Sequence, residues 1–264
     1  MYDMSILMPS YNQGDYIRQA IDSVLGQGSC RVQLIIMDGG STDQTLSILE
    51  SYSGRIYYSS APDRGQSHAL NKALDMASAP IIGWLNSDDM YLPGAFRSVL
   101  SSFERNKEVA LIHGNRILID SKSEVVGFSV SGPFNSDSNR FNICSETAFW
   151  RANCIPTHRF REDLHFAMDV YFLAFIAKAK PHLYLNKYLG CFRCHGESKS
   201  SNLWDKVAVP EAREVWHSLF GQDIILDTTP PVSRSDNLIN FLHLPLPDLV
   251  SYTKLKLKRR ILGL

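Results

Sequence analysis

The sequence has no surplus of charge of either sign, no long apolar run and no even set of cysteines. Its 27 Lys and Arg residues balance 27 Asp and Glu residues, which argues against a nucleic-acid-binding surface spread over the whole protein. No stretch reaches the roughly 18 apolar residues that a membrane-spanning helix needs. The N-terminus has no basic region before its first apolar segment, so we expect no signal peptide and a cytoplasmic protein.

Five cysteines at irregular spacing favour a reducing compartment over a disulfide framework. Residues 191–195 read CFRCH and match the C-x-x-C-H pattern of covalent haem attachment. Haem attachment requires export, for which there is no signal, and no partner pair of ligands completes a zinc site. The simpler interpretation is a strand in which the cysteines are small apolar residues.

Two common nucleotide-binding motifs, G-x-G-x-x-G and G-x-x-x-x-G-K-[ST], are also missing, which argues against a dinucleotide fold and a P-loop. What the first hundred residues contain is an alternation of short apolar segments with amphipathic ones. Strands are predicted at residues 4–8, 32–37, 55–60 and 80–85, with helices between and after them. This alternation predicts an α/β fold, a mainly parallel sheet with helices on both faces.

Polar clusters follow three of these strands, at residues 9–12, 38–43 and 86–89. Ligands bind parallel sheets at the carboxyl ends of the strands, so the clusters are candidate site residues. Asp38 is followed by two glycines that allow close approach of a nucleotide, whose base could donate to it while Asp43 accepts from a ribose hydroxyl. A tight turn and a capping box formed by Ser41 and Gln44 explain Ser41 through Asp43 well, but they do not explain why an acid ends the buried strand.

Asp88 and Asp89 form an adjacent pair of carboxylates directly after an apolar strand. A hard divalent cation would relieve their repulsion and complete its shell with phosphate oxygens and water. The alternative is a surface loop in which one Asp caps the helix predicted near Pro93. The residues alone leave both interpretations open.

After about residue 110 the pattern changes. Strands are predicted at 109–119 and 125–130, a long apolar helix near 163–179, a strand pair around 182–194 and a final helical region to about Phe220. Asp169 lies inside the apolar helix, where a buried carboxylate is costly unless it is paired or functional. A solvent-facing Asp169 is the alternative.

Residues 4–100 contain four ordered blocks: PSYNQGDYIRQAIDSVLGQ, LIIMDGGSTDQTLSIL, PDRGQSHALNKAL and WLNSDD. Together these blocks resemble the family 2 glycosyltransferases of the GT-A fold. A weaker likeness continues to about residue 200 through AFW (148–150), EDLHFAMD (162–169) and FRCHGESK (192–199). The resemblance implies transfer of a sugar, with inversion, from a nucleotide-diphosphate sugar to an acceptor hydroxyl, with Mg²⁺ or Mn²⁺ as cofactor.

The resemblance also implies roles for donor-binding residues. Pro9, Tyr11 and Asp38 match base-binding positions, and Arg64 and Gln66 lie in the block that lines the donor. A uridine diphosphate sugar is favoured, because a carboxylate at Asp38 suits an imide N–H, although thymine and guanine also present one.

The remaining matches concern the metal, the base and the diphosphate. Asp88 and Asp89 match the metal and diphosphate motif, and Asp169 matches the catalytic base. His195 and Lys199 match a loop that closes over the diphosphate.

Two residues depart from the family pattern. Asn86 stands where many members have an acid; it can still form hydrogen bonds to the donor but is a poorer metal ligand. His68 stands where an acid is frequent, which would change the donor contact or its pH response.

We expect one GT-A-like domain over residues 1–220, with a donor half at about 1–115 and an acceptor half at about 116–220. Residues 221–264 form a C-terminal extension, in which five basic residues alternate with leucines between Lys254 and Arg260. Such a tail suits contact with an anionic bilayer at the inner face of the membrane, although a solvated tail is the plainer alternative.

The expected acceptor is a glycan or lipid-linked glycan, as in the synthesis of bacterial-type surface polysaccharides. Two other functions stay open: a nucleotide-sugar-binding module without turnover, and a nucleotidyltransferase that releases pyrophosphate. A lysine-rich glycine loop near the N-terminus would be evidence for the nucleotidyltransferase, but residues 9–14 contain no lysine.

Overall fold

The fold is known from a computed structural model that describes residues 1–28, 30–154, 157–196 and 204–226. Its centre is a nine-stranded sheet. The strands are β1 (Met4–Ser10), β2 (Val32–Asp38), β3 (Tyr57–Ser60), β4 (Ile81–Trp84), β5 (Met90–Tyr91), β6 (Leu111–Ile119), β7 (Val125–Ser129), β8 (Phe149–Arg151) and β9 (His182–Arg193). The α-helices are α1 (Ile17–Leu25), α2 (Thr45–Glu50), α3 (Gln66–Met76), α4 (Ala95–Arg105), α5 (Met168–Ala179) and α6 (Val209–Phe220).

The strand order is β3-β2-β1-β4-β8-β6-β9-β5, with β7 paired to β6 outside this path. The first four strands of this order form three parallel pairings, β3–β2, β2–β1 and β1–β4, and β6 is parallel to β9. Four other pairings, β4–β8, β6–β8, β6–β7 and β5–β9, are antiparallel. The α/β fold with a mainly parallel sheet is confirmed for the donor half, and the second half adds the antiparallel strands.

Two apolar layers cover the sheet. Helices α1 and α4 pack with β1 and β2 on one face, through residues such as Ile21 and Phe96. Helices α3, α5 and α6 form the other layer, with Leu70, Trp150 and Trp216 at its centre. Every residue of β1 and β4 is buried, because the strands lie between both layers.

The carboxyl ends of the first strands meet at one edge, as the sequence predicts. Ser10 is the register partner of Asp38, which in turn is the partner of Ser60. The amide of Leu85, just beyond β4, donates to Leu7 at 3.0 Å. The polar residues after β1, β2 and β4 therefore leave the sheet on the same side.

Two sequence predictions are wrong in detail. Residues 182–193 form one long strand rather than a strand pair, because β9 pairs with β6 along its length and with β5 at its end. The apolar helix begins at Met168 rather than near residue 163. The Glu211 carboxylate accepts hydrogen bonds from the amides of His165, Phe166 and Ala167, which holds the preceding segment in a turn.

The capping box is also absent from the start of α2. The helix begins at Thr45, while the Ser41 hydroxyl donates to Asp38 instead of capping the helix. Within the described residues, no helix is long and apolar enough to cross a membrane. The basic tail between Lys254 and Arg260 lies outside the described residues.

The packing at Gly83 predicts a stability effect. A Cβ atom there would lie 2.8 Å from the Phe149 ring and 3.0 Å from Ile6, inside the closed core. We expect Gly83→Ala to lower the free energy of unfolding by about 1–3 kcal/mol, measured by urea denaturation. Gly196→Ala is the control, because a Cβ at that position meets open space. Equal stability of both variants would contradict this account of the core.

Candidate active site

The loops that follow β1 and β2 are joined by hydrogen bonds at the sheet edge. The Asn12 amide donates to the Ser41 hydroxyl at 2.7 Å, and the Thr42 amide donates to the Asn12 side chain at 2.8 Å. The Gly14 amide donates to Asp43 at 2.9 Å. Burial alone would raise the pKa of Asp43, but the hydrogen bonds from Thr45 and Gly14 lower it below its ordinary value. Asp43 thus stays ionised and joins the two loops.

Asp38 organises the turn after β2. Its Oδ2 atom accepts from the amides of Gly40 at 3.1 Å and Ser41 at 2.9 Å and from the Ser60 hydroxyl at 2.6 Å. Its Oδ1 atom accepts from the Ser41 hydroxyl, and the residue is only 1% exposed. In this arrangement the carboxylate is satisfied by the protein, and the predicted contact with a base would require the turn to yield. Pro9 is buried next to it, whereas Tyr11 presents an exposed ring just beyond β1.

Arg64 lies in the loop after β3 and forms an ion pair with Glu162. Its Nε and Nη2 atoms donate to Glu162 Oε2 at 3.1 Å and 2.5 Å. The other oxygen of Glu162 accepts from Asn71 at 3.0 Å. The Asn71 and Arg64 contacts lower the pKa of Glu162. This pair joins the predicted donor loop to the segment before α5.

The side chain of Asn86 forms a hydrogen bond to Asp89, one of the two carboxylates of the acid pair. Its Oδ1 atom accepts from Gln66 at 2.8 Å and from the Trp84 indole at 2.9 Å. Its amide nitrogen donates to Asp89 Oδ2 at 3.3 Å. An acid at this position could not donate to Asp89, so the departure from the family pattern has a structural consequence.

The two carboxylates of the acid pair have different environments. Asp89 is 1% exposed and also accepts the Arg193 amide at 2.9 Å. Asp88 has a side chain that is 20% exposed, and its Oδ2 atom lies 3.0 Å from His195 Nε2. Burial, together with Asp88 and the nearby Glu146, raises the pKa of Asp89 well above its usual range. Lys199, predicted to act with His195, lies outside the described residues.

Asp169 occupies the first turn of α5. Burial raises its pKa to about 6, and Glu146 adds to the rise, whereas the Val170 amide and Arg116 act against it. Glu146 and Arg116 also act electrostatically on Asp89. Two charged neighbours, Glu146 and Arg116, therefore act on both the predicted catalytic base and Asp89 of the predicted metal pair.

Sequence reasoning missed Glu146 and Arg116. Glu146 is 1% exposed and lies 3.4 Å from Arg116 Nη1. The Arg116 guanidinium also lies 4.8 Å from the centre of the Phe192 ring. The available signals were weak: an acid two residues before the apolar AFW block, and a cation within the strand predicted at 109–119.

The acid pair suits a divalent cation that the protein binds only in part. Among the described residues, no group of three or more His, Cys, Asp and Glu side chains is arranged to hold a metal ion. Asp88 and Asp89 supply two carboxylates, and Mg²⁺ or Mn²⁺ bound in this way completes its shell with phosphates and water. Burial and the neighbouring carboxylates of Asp88 and Glu146 raise the pKa of Asp89, and a bound cation would favour its ionised form. The residues present fit such an ion.

The cysteines of the C-x-x-C-H segment form no disulfide: all five cysteines of the protein are free, and Cys191 is buried within β9. Burial raises the pKa of its thiol to about 12, so it stays protonated. His195, the last residue of the segment, contacts Asp88 of the acid pair.

Comparison with known proteins assigns this fold and site to a class. The profile described as "Glycosyl transferase family 2" matches residues 5–148, so the chain belongs to that family of glycosyltransferase enzymes. The likeness includes the β1, β2 and β4 loops and extends through the missed Glu146.

Individual relatives agree with the assignment. The chain is 28% identical to a chondroitin synthase of Escherichia coli over 203 residues, which cover 75% of this chain and 30% of the synthase. Among solved structures, S. aureus TarS residues 1–349 in complex with UDP-GlcNAc superposes with a TM-score of 0.62 at 18% identity, covering 94% of this chain and 69% of TarS. The mannosyltransferase PcManGT from Pyrobaculum calidifontis, in complex with GDP-Man and Mn²⁺, gives 0.59 at 15% identity over 77% of this chain and 59% of that one. Both structures support the GT-A fold.

The environment of Asp169 predicts a pH-dependent effect on stability. Its folded pKa of about 6 lies above the ordinary value of 3.8, so the ionised form is disfavoured by folding. This penalty is absent below about pH 4, grows as the pH rises and is complete above about pH 6. We expect Asp169→Asn to raise the melting temperature at pH 8, in the presence of a chelator, and to lose that advantage near pH 4. Asp75→Asn, an exposed acid, is the control; a gain that does not change with pH would contradict the assignment.

Proposed function

We propose that the chain is an inverting glycosyltransferase that moves a sugar from a nucleotide-diphosphate sugar to an acceptor hydroxyl. The observation that supports the proposal is that Glu146 and Arg116 act electrostatically on both Asp169 and Asp89. In the proposed site, a carboxylate with a raised pKa works together with a carboxylate pair suited to a cation and diphosphate. Inversion in a single displacement needs this combination, a proton acceptor on one side and stabilisation of the leaving group on the other.

Asp169 is the proposed general base. A carboxylate with a pKa of about 6 is ionised at neutral pH and is a stronger base than an ordinary Asp. It takes the proton of the acceptor hydroxyl as the oxygen attacks the anomeric carbon. The bond from that carbon to the diphosphate oxygen breaks in the same step, and the leaving group departs as a nucleoside diphosphate.

Asp88 is the proposed direct ligand of the metal ion. Its side chain is partly exposed, whereas both Asp89 oxygens accept hydrogen bonds from Asn86 and Arg193. Bound Mg²⁺ or Mn²⁺ would supply charge stabilisation of the departing diphosphate. Arg64 would add a positive charge at the carboxyl-end edge of the sheet. His195 would add a hydrogen-bonding ring there, through its contact with Asp88.

The donor-binding roles of Tyr11, Asp38, Asp43, Arg64 and Gln66 remain part of this proposal. TarS is described with UDP-GlcNAc and with UDP, and PcManGT with GDP-Man and Mn²⁺. The chondroitin and hyaluronan synthases among the relatives support a role in polysaccharide synthesis with a glycan acceptor. We favour a UDP-sugar donor, and we retain membrane contact of the basic tail as a prediction.

The experiment that tests the function compares nucleoside diphosphates and their sugars. With Mn²⁺ present, UDP is expected to raise the melting temperature more than GDP or ADP, because a ligand that binds only the folded state stabilises it. Incubation of the matching sugar donor with glycan acceptors should release the nucleoside diphosphate and form a product with inverted anomeric configuration, read by NMR. Binding without turnover would favour a sugar-nucleotide-binding module, and release of pyrophosphate would indicate a nucleotidyltransferase.

Removal of the proposed base predicts loss of turnover alone. Asp169→Asn should lower kcat by about a hundredfold or more while leaving the affinity for UDP and Mn²⁺ nearly unchanged, since the side chain acts on the acceptor. Steady-state kinetics and calorimetry provide the two measurements. Turnover equal to that of the wild type would eliminate Asp169 as the base.

The difference between Asp88 and Asp89 gives a prediction about the metal. We expect Asp88→Asn to weaken UDP binding with Mn²⁺ about tenfold or more without loss of fold, because it removes a ligand charge from a partly exposed site. Calorimetry with Mn²⁺ and with a chelator separates the metal-dependent part. Asp75→Asn, on the exposed end of α3, should bind as the wild type does. Unchanged Mn²⁺ dependence in Asp88→Asn would refute the assignment of this ligand.

A further inference from the structure

Arg193, the last residue of β9, is a buried cation directly behind the acid pair. It is 1% exposed, and burial lowers its pKa from the ordinary value, so its charge must be compensated locally. Two of its contacts go to the acid pair itself. Its Nε donates to the Asp88 carbonyl at 2.7 Å, and its backbone amide donates to Asp89 Oδ1 at 2.9 Å.

The rest of the guanidinium is fixed from the opposite side. Nη1 donates to the Asp120 carbonyl at 3.0 Å and to the Ser123 hydroxyl at 2.8 Å. Nη2 donates to Gln19 Oε1 at 2.9 Å, and the ring of Tyr16 lies 4.7 Å from the guanidinium carbon. Three segments remote in sequence therefore meet on one side chain: α1, the turn between β6 and β7, and the acid pair.

The turn between β6 and β7 is shaped for this contact. Ser123 has a positive φ of 59°, which is uncommon for a serine, and it is buried within a turn. Its hydroxyl donates to Gln19 Oε1 at 2.7 Å while it accepts from Arg193. The three side chains close a ring of hydrogen bonds, so α1 and the turn between β6 and β7 hold the Arg193 guanidinium in place.

We infer that Arg193 is a positioning residue that holds the loop of Asp88 and Asp89 in the geometry that binds the metal and diphosphate. All of its donor nitrogens already serve protein acceptors and the side chain is buried, so its action on the donor passes through the acid pair. The inference rests on the proposed function, because it concerns metal-dependent donor binding at the same site.

Arg151 provides a matched control. Its Nε donates to the Val109 carbonyl at 2.8 Å, its Nη2 donates to the Phe103 carbonyl at 2.8 Å, and its guanidinium lies over the Phe103 ring at 4.9 Å. Both arginine side chains thus donate hydrogen bonds to backbone carbonyl groups, and both guanidinium groups lie against an aromatic ring. Arg151 binds the end of α4 and the residues before β6, whereas Arg193 binds the acid pair.

The test compares Arg193→Lys, Gln19→Ala and Arg151→Lys with the wild type. UDP affinity is measured by calorimetry with Mn²⁺ and with a chelator, bound Mn²⁺ by electron paramagnetic resonance, and folding by circular dichroism. We expect Arg193→Lys to weaken Mn²⁺-dependent UDP binding about tenfold or more, as for other residues that orient metal ligands, while affinity in chelator stays unchanged. Gln19→Ala should weaken it in the same direction by a smaller factor. Arg151→Lys should lower the melting temperature and leave the Mn²⁺ dependence as in the wild type.

The outcomes separate the two proposals. If the wild type shows no Mn²⁺-dependent UDP binding, the proposed function is overturned and this inference with it. If the wild type binds but folded Arg193→Lys and Gln19→Ala bind equally well, only the inference is overturned. The same holds if Arg151→Lys weakens Mn²⁺-dependent binding as much as Arg193→Lys does. Should Arg193→Lys fail to fold, Gln19→Ala decides the matter.

Discussion

The site depends on one electrostatic constraint, the burial of several carboxylates close together. Asp89 and Glu146 are both about 1% exposed, and Asp88 and Asp169 lie near them. Buried charges of one sign are costly unless cations and hydrogen bonds compensate them. Two arginines supply that compensation, Arg116 from β6 and Arg193 from the end of β9.

The second half of the sheet makes this compensation possible. Strands β6 and β9 run parallel, with register shifts on both sides of Asn115, and pair Arg116 with Gly190 and Ile119 with Arg193. The close approach at Gly190 matters too, because a Cβ there would lie 2.6 Å from the carbonyl oxygen of Glu146. The residues after β5 therefore do more than cover the sheet. They include Arg116, Arg193 and Glu146, which set the charge balance of the loop that holds Asp88 and Asp89.

This balance also explains the chemistry of Asp169. A stronger cationic partner would lower its pKa and make it a weaker base, whereas loss of Arg116 would raise its pKa further. The pKa of about 6 lies between these two cases. The cost of an ionised, desolvated carboxylate would thus be part of what suits the residue to the proposed role of base, a common relation between stability and function.

Much of the donor half could be predicted from sequence because its signals are local. The apolar strands, the spacing of Ile17 and Ile21 in α1, and the polar residues at the strand ends follow from periodicity. The remaining features depend on partners far along the chain. Glu211 ends the turn before α5 from 44 or more residues away, and Glu162 pairs with Arg64 across 98. The short β8 has only three residues, too few for a periodic pattern.

The same distinction applies to Asp38, which the sequence correctly places at the strand end without revealing its partners. Its oxygens accept hydrogen bonds from two amides and two hydroxyls, all within the turn or the neighbouring strand. A base whose imide N–H is to reach Asp38 must compete with the Ser41 hydroxyl, which also accepts from the Asn12 amide. Binding of a base at this position would therefore depend on the Asn12–Ser41 hydrogen bond between the two loops. The exposed Tyr11 is the neighbour of Asn12 in the first loop, so base recognition and loop geometry would be coupled in the proposed site.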